Sequence, residues 1–282
     1  MKLCRFTEDG LTRIGKVVGD VVIDLSAVPG VTGSMRALLA DLADLRAALE
    51  AAVLPRFPLG SVRLEAPIDD PEKFLAIGMN YAAHAAEAAE AGIPVPKSQL
   101  WFNKQVSCIS GPYDALDLPR ASDKVDYEAE LAFVIGTRCH DVAEADALGM
   151  VAGYMVCNDV TARDWQQRSP TYTLGKSFDT HGPIGPWITT ADEIADPHAL
   201  TMRLEVNGEQ RQASSTGDMI YSIPQQIAYL TTVMTLEPGD IIATGTPSGV
   251  GIASGKFLRD GDLVTVSIEG LGTISNRCVA EA

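Results

Sequence analysis

A strand-dominated α+β fold with a small N-terminal domain is what this sequence predicts, and three observations carry that reading. Short apolar and β-branched runs recur between clusters of Gly, Pro, Asn and Asp. Few segments show helical spacing, and helices do not alternate regularly with strands, which argues against a Rossmann fold or a TIM barrel. Pro55, Pro58, Gly60, Pro67 and Pro71 punctuate one stretch, the best boundary in the chain. It divides the chain into a small domain over 1–70 and a larger one over 71–282.

Residues 1–28 read as a meander, with runs Ile14–Val18 and Val21–Leu25 set off by Glu8-Asp9-Gly10 and Gly19-Asp20. Ser34 reads as the N-cap of one helix to about Val53, with Leu38, Leu42, Leu45 and Leu49 at helical spacing. Lys73–Gly78 is a short strand. An Ala-rich helix follows from about Ala82 to Ala91, ended by Gly92 and Pro94. Trp101–Ile109 reads as one strand. A short helix near Ala143–Leu148 bridges two buried strands. A helical turn is placed around Arg163–Gln167, and Gly182–Trp187 reads as turn-rich. Thr201–Gln212 is a hairpin with Asn207-Gly208 at its tip. Ser222-Ile223-Pro224-Gln225 fits a capping box opening a helix to about Thr235. Ile241–Thr244, Leu263–Ile268 and Gly272–Val279 are the remaining strands.

Length and composition bound the function. The chain has 282 residues, 46% hydrophobic, which suffices for a sizeable core. A formal net charge of -15 disfavours nucleic acid and anionic membrane as partners, because both need a basic face. No apolar run reaches membrane-spanning length. Arg5, Glu8 and Asp9 interrupt any signal-peptide core, and the 5 cysteines form no CxxC pair. A cytoplasmic protein with reduced thiols is expected.

The segment Asp126–Asp159 carries the sharpest chemical signal. Asp126, Glu128 and Glu130 share one face of a strand by period two, and that strand runs on into apolar residues on both faces. Carboxylates at the mouth of a buried strand repel each other and resist desolvation. Either water solvates them, as on many half-buried sheets, or a cation holds them. Asp159, at the end of the second apolar run, could complete an oxygen cage. His84 and Glu87, three apart on a helix, share a face, and a carboxylate beside an imidazole fixes its tautomer for general-base work. An exposed helix pair would look the same. Lys176 lies in a glycine-flanked loop and could polarise a carbonyl. Arg163 could bind a carboxylate bidentately, with Gln166 one turn on. The loop Gly245–Gly251 lacks the phosphate-binding patterns and reads as a tight substrate-lining turn. HExxH, Cys/His clusters and GxSxG are absent from the sequence, which disfavours zinc sites and the usual serine hydrolases.

Together these residues resemble the fumarylacetoacetate hydrolase superfamily over about residues 73–275. The motifs that carry the likeness are Gly78-Met79-Asn80-Tyr81-Ala82-Ala83-His84-Ala85-Ala86-Glu87, Asp126-Tyr127-Glu128-Ala129-Glu130-Leu131, Asn158-Asp159-Val160-Thr161-Ala162-Arg163-Asp164, Gly175-Lys176-Ser177-Phe178-Asp179-Thr180 and Gly245-Thr246-Pro247-Ser248-Gly249-Val250-Gly251. The resemblance implies a mixed β-sandwich roll, metal ligands Glu128, Glu130 and Asp159, and a dyad of His84 and Glu87 on a lid over Asn80–Ala91. It implies a catalytic role for Lys176 and substrate contacts from Arg163, Gln166 and Thr246. Mg²⁺ or Mn²⁺ is the expected cofactor, with Ca²⁺ also compatible, and a homodimer is expected. The implied activity is hydrolysis of the carbon–carbon bond of a 2,4-diketo acid, an acylpyruvate or a diketo-deoxy sugar acid, to pyruvate and a carboxylic acid. Oxaloacetate decarboxylation and isomerisation or hydration of unsaturated diacids are the alternatives within the family. A non-catalytic metal-binding protein would leave the dyad and Lys176 without a role. The segment Gln167–Leu174, which varies among members, assigns no substrate.

Overall fold

The computed structural model describes residues 1–53, 55–90, 92 and 94–281. The first part of the chain forms β1 (Lys2–Glu8), β2 (Leu11–Val18), β3 (Val21–Asp24), α1 (Met35–Ala40), α2 (Leu42–Ala51), β4 (Arg56–Pro58) and β5 (Arg63–Glu65). The middle follows with β6 (Phe74–Gly78), α3 (Ala82–Glu90), β7 (Leu100–Lys104), β8 (Ile109–Ser110), β9 (Leu116–Leu118), β10 (Val125–Asp126), β11 (Ala129–Ile135), α4 (Glu144–Ala147), β12 (Val151–Asn158), β13 (Thr161–Ala162) and α5 (Arg163–Gln166). The last part adds β14 (Gly182–Thr190), β15 (Thr201–Val206), β16 (Glu209–Ser215), α6 (Ile223–Thr231), β17 (Ile241–Ala243), α7 (Gly251–Ser254), β18 (Leu263–Ile268) and β19 (Gly272–Ala280). The expected end of α3 at Ala91 lies outside the described residues, as does residue 282.

The strand-rich mixed fold matches the expectation. A 12-stranded sheet runs in the order β4-β3-β2-β1-β14-β12-β11-β17-β6-β7, with β5 on β1 and β8 on β14. A 5-stranded sheet, β16-β15-β18-β19-β9, packs on one face of it. Strand β11 sits at the centre, and its period-two alternation feeds two cores. Leu131, Phe133 and Ile135 join β15, β18 and α6 in one. Ala132 and Val134 join Leu38, Leu49, Leu3 and Ile184 in the other. A strand buried on both faces holds its side chains rigidly, which suits the base of a site.

The proposed boundary near residue 70 falls between β5 and β6. The sheet continues across it, because β1 pairs with β14 through Leu3↔Ile188. Limited proteolysis between β5 and β6 is the test of that division.

Four local expectations are corrected. The helix from Ser34 breaks at Asp41, which leaves helical geometry (φ -102°, ψ 13°) while its carbonyl accepts from Leu45 N–H at 3.0 Å. The Ser34 cap itself forms, with Oγ accepting from Ala37 N–H at 3.2 Å. Helix α6 stops at Thr231 rather than Thr235, where the hydroxyls of Thr231 and Thr232 compete for helical carbonyls. Trp101–Ile109 splits after Lys104 into a strand, a 3₁₀ turn and β8. Gly182–Trp187 is not a turn but the first part of β14. Its Pro186 falls where the β12–β14 ladder shifts register, so the missing N–H removes no ladder bond.

Candidate active site

The antiparallel β11–β12 pair places Ala129 opposite Asn158, so the residues just outside each strand meet. Asp159 N–H donates to the Glu128 carbonyl at 2.9 Å, and the Asn158 side chain accepts from Glu128 N–H at 3.0 Å. These bonds hold Glu128 in the short gap between β10 and β11. Glu130 follows on β11 itself. Carboxylate oxygens of Glu128, Glu130 and Asp159 lie within 4.8 Å of one another, and all three residues are buried. The continuous strand face expected for Asp126, Glu128 and Glu130 does not form, because the chain leaves strand geometry at Tyr127 and Glu128. Asp126 turns instead to accept N–H bonds from Gly251 (2.6 Å) and Ile252 (2.9 Å).

Three buried cations face these acids. Lys176 Nζ is 2.6 Å from both Glu128 Oε2 and Asp159 Oδ2. Lys104 Nζ is 2.7 Å from Asp159 Oδ1 and also donates to the Lys176 carbonyl. Arg163 Nε donates to Asp126 at 2.8 Å and Nη1 to Gln166 Oε1 at 3.1 Å. Its Nη2 lies 2.6 Å from Glu128 Oε1, an ion-pair contact. Packing of Gly175 against the backbone of Gln166 leaves no room for a Cβ and brings Lys176 in beside α5.

Counting Asp126, Glu128, Glu130 and Asp159 against Lys104, Arg163 and Lys176 leaves one negative charge. The imbalance falls on Glu130. Burial, then the charges of Asp159 and Glu128, push its carboxyl well above the usual range. Burial would raise Glu128 too, but Lys176 and Arg163 prevail and hold it at about 2. An all-carboxylate set suits a hard divalent cation such as Mg²⁺ or Mn²⁺, and such an ion would turn the site net positive. The residues therefore fit a divalent metal.

Two results are expected from this arrangement. A raised Glu130 favours the protonated form, while a metal requires the carboxylate. Metal binding should release a proton, and affinity should weaken as pH falls. Calorimetry in buffers of different ionisation enthalpy reads that proton directly; an enthalpy independent of buffer at neutral pH would contradict it. Lys104→Met would leave Asp159 Oδ1 without its partner and should weaken metal affinity about 10–100-fold, as for other groups that orient ligands. Unchanged affinity in a metal titration would remove that role.

Lys104 is the residue that sequence reasoning missed. Its signal was available: Leu100, Phe102 and Lys104 share one face of an apolar strand, and a lysine there needs a buried anion.

A cavity of about 250 Å³ opens over the acids. Glu128, Glu130, Lys176, Arg163, Gln166 and Thr246 line it, as does His84 from α3. His84 Nδ1 is 3.2 Å from Glu87 Oε2, which leaves Nε2 as the basic nitrogen when Nδ1 carries the proton. Glu87 Oε1 also accepts from Gly249 N–H at 3.4 Å. Asn80 anchors the start of α3 through side-chain bonds to Tyr221 and Thr244. Gly245, at φ 94°, donates its N–H to Glu130 at 2.8 Å, and Thr246 Oγ1 accepts from Gln212. The sequence-derived site residues thus meet around one cavity, with Glu87 and Asp159 directly behind its wall.

The model of the fumarylacetoacetate (FAA) hydrolase C-terminal family matches residues 73–279. A Burkholderia lata protein that carries a provisional hydrolase name is 48% identical over 278 residues, 96% of each chain. Among solved structures, maleylpyruvate hydrolase from Sphingobium sp. SYK-6, in complex with manganese(II) and pyruvate, is 38% identical with a TM-score of 0.86 and full coverage of both chains. A 2-hydroxyhepta-2,4-diene-1,7-dioate isomerase from Mycobacterium marinum is 33% identical with a TM-score of 0.81, covering 100% of this chain and 99% of that one. Among the described residues no helix is long and apolar enough to cross a membrane.

Proposed function

We propose that this chain, which belongs to the fumarylacetoacetate hydrolase family, hydrolyses a 2,4-diketo acid of the acylpyruvate class to pyruvate and a carboxylic acid. The observation that carries the reading is a His–Glu pair opening on the same cavity as a buried carboxylate triad. The manganese and pyruvate bound by the Sphingobium relative support it. Glu128, Glu130 and Asp159 would hold the divalent ion. When bound, that ion supplies a seat for the substrate's carboxylate and 2-oxo oxygens and positive charge against the negative charge that develops there.

The chain's own residues do the rest. Glu87 fixes His84 so that Nε2 takes a proton from water, and the water oxygen bonds to C4 of the diketo acid. The C3–C4 bond then breaks, and its electron pair passes to C3 and into the 2-oxo group as the enolate of pyruvate. Lys176 places an ammonium beside that charge. The proton held on His84 returns to C3, so one water and one diketo acid become one carboxylic acid and one pyruvate. Arg163 and Gln166 form one wall, with the arginine holding Glu128 in place, and Thr246 forms another.

The isomerase among the structural neighbours supports a second reading, enolate chemistry without water attack. The test is to incubate the Mn²⁺-loaded protein with acetylpyruvate, oxaloacetate and an unsaturated dioate. Pyruvate from acetylpyruvate supports the hydrolase. Turnover of either other substrate with acetylpyruvate untouched replaces it. A homodimer is part of the same proposal, and light scattering that returns a monomer would remove it.

A further inference from the structure

Beside the acids the cavity has an apolar end. Lys104, Phe102 and Leu100 share one face of β7, so each step of two residues moves about 6.6 Å away from Asp159. Phe102 comes first, with its ring centroid 4.9 Å from Lys176 Nζ. Tyr172 stands edge-on to that ring at 6.1 Å, and Leu100 lies farther out. Met79 adds to the same lining.

Two of these residues hold a costly backbone. Among the described non-glycine residues, those with positive φ include Asp9, Asp141 and Asn207, whose short polar side chains tolerate that region. Met79 (φ 55°), Tyr172 (φ 61°) and the β-branched Thr180 (φ 64°) have no such excuse. Met79 and Tyr172 line the cavity, and Thr180 does not. Such strain persists only where surrounding structure enforces it, and here it aims two large apolar side chains into one space.

The cavity's cations are already matched. Among the described lining residues, Arg163 and Lys176 are the basic side chains besides His84, and their polar contacts are with Asp126, Glu128, Asp159 and Gln166. His84 is turned to Glu87. Among the described lining residues, no uncommitted cation would pair with a second carboxylate on the far end of a substrate, which would be desolvated there.

We infer that Met79, Leu100, Phe102 and Tyr172 form a subsite for an uncharged acyl tail, so that the chain selects neutral acylpyruvates over those ending in a second carboxylate. The inference rests on the acylpyruvate reading of the same site. It separates this chain's substrate from the dicarboxylic one named for the Sphingobium relative and from the dioate named for the Mycobacterium marinum isomerase.

Binding and turnover test it separately. The Mn²⁺-loaded protein is titrated calorimetrically with 2-oxohexanoate, 2-oxoadipate and a polyhydroxylated 2-oxo acid, which share a head and differ in tail. 2-Oxohexanoate should bind at least about tenfold tighter than either of the others, reflecting the unpaired polar tail. Tyr172→Ala should shrink that preference to about threefold or less, through lost apolar burial. Equal binding, tighter 2-oxoadipate, tighter hydroxylated acid or no binding at all overturns the subsite. The same protein is then given hexanoylpyruvate and maleylpyruvate. The neutral-tail binding preference without pyruvate release from either supports the subsite and defeats the hydrolase reading. Pyruvate released as fast from maleylpyruvate supports the hydrolase and defeats the subsite.

Discussion

Glu130→Gln is expected to lower turnover about a thousandfold while leaving the metal-free fold intact, as befits loss of a charge that would hold the metal against the negative charge of the transition state. Burial and the neighbouring acids already favour a neutral Glu130 in the metal-free site. Glutamine has the same size, and its amide oxygen can still accept the Gly245 N–H that Glu130 accepts at 2.8 Å. The melting temperature without metal should therefore barely move. Stabilisation by added metal, about 2.7 kcal/mol at a hundred times Kd in the wild type, should vanish. Glu128→Ala is a poorer probe, because it strips Lys176 and Arg163 of a buried partner and should unfold as well as inactivate the protein. Wild-type activity in Glu130→Gln at limiting metal would remove the triad from the mechanism.

His84→Ala should lower hydrolysis of a diketo acid about a hundredfold or more, the loss expected when a positioned general base is removed. Decarboxylation of oxaloacetate, which needs no activated water, should fall far less. Glu87→Gln should show a weaker version of the same split, because the imidazole stays but loses the anion that orients Nδ1–H. Side-by-side rates on the two substrates decide this. A parallel loss of both activities would mean that His84 binds the shared head group and does not activate water.

Much of the site was legible because its residues announce themselves locally. Glu128, Glu130 and Asp159 stand at the ends of long apolar runs, where a carboxylate is expensive without a cation. His84 and Glu87 share a helix face, and that helix forms. The Asn207-Gly208 hairpin and the Ser222 to Gln225 box follow from turn and cap chemistry and appear as expected, with Ser222 N–H donating to Gln225 Oε1 at 2.9 Å. What stayed hidden depends on distant partners. Lys104 meets Asp159 across 55 residues of sequence. Asp126 sits on the predicted strand face, yet the chain kinks at Tyr127 and Glu128 because the Asn158 side chain takes the Glu128 N–H and the Gln212 side chain takes that of Ala129. Arg163 looked free to grip a substrate carboxylate, while its fork reaches Asp126, Glu128 and Gln166. The glycines and prolines of β14 read as a turn because their accommodation lies in the register shift of a neighbouring strand.

A single titration tests whether a divalent ion at Glu128, Glu130 and Asp159 enables water to cleave a diketo acid. Metal-free protein is mixed with saturating acetylpyruvate and stepwise Mn²⁺, and pyruvate and acetate are both measured at each step. The account predicts no turnover without metal, then a rate that rises in proportion to Mn²⁺ and levels off once each chain holds its ion, with pyruvate and acetate formed in equal amounts. Full turnover in the metal-free protein, or a saturated Mn²⁺ site that yields neither product, would contradict it.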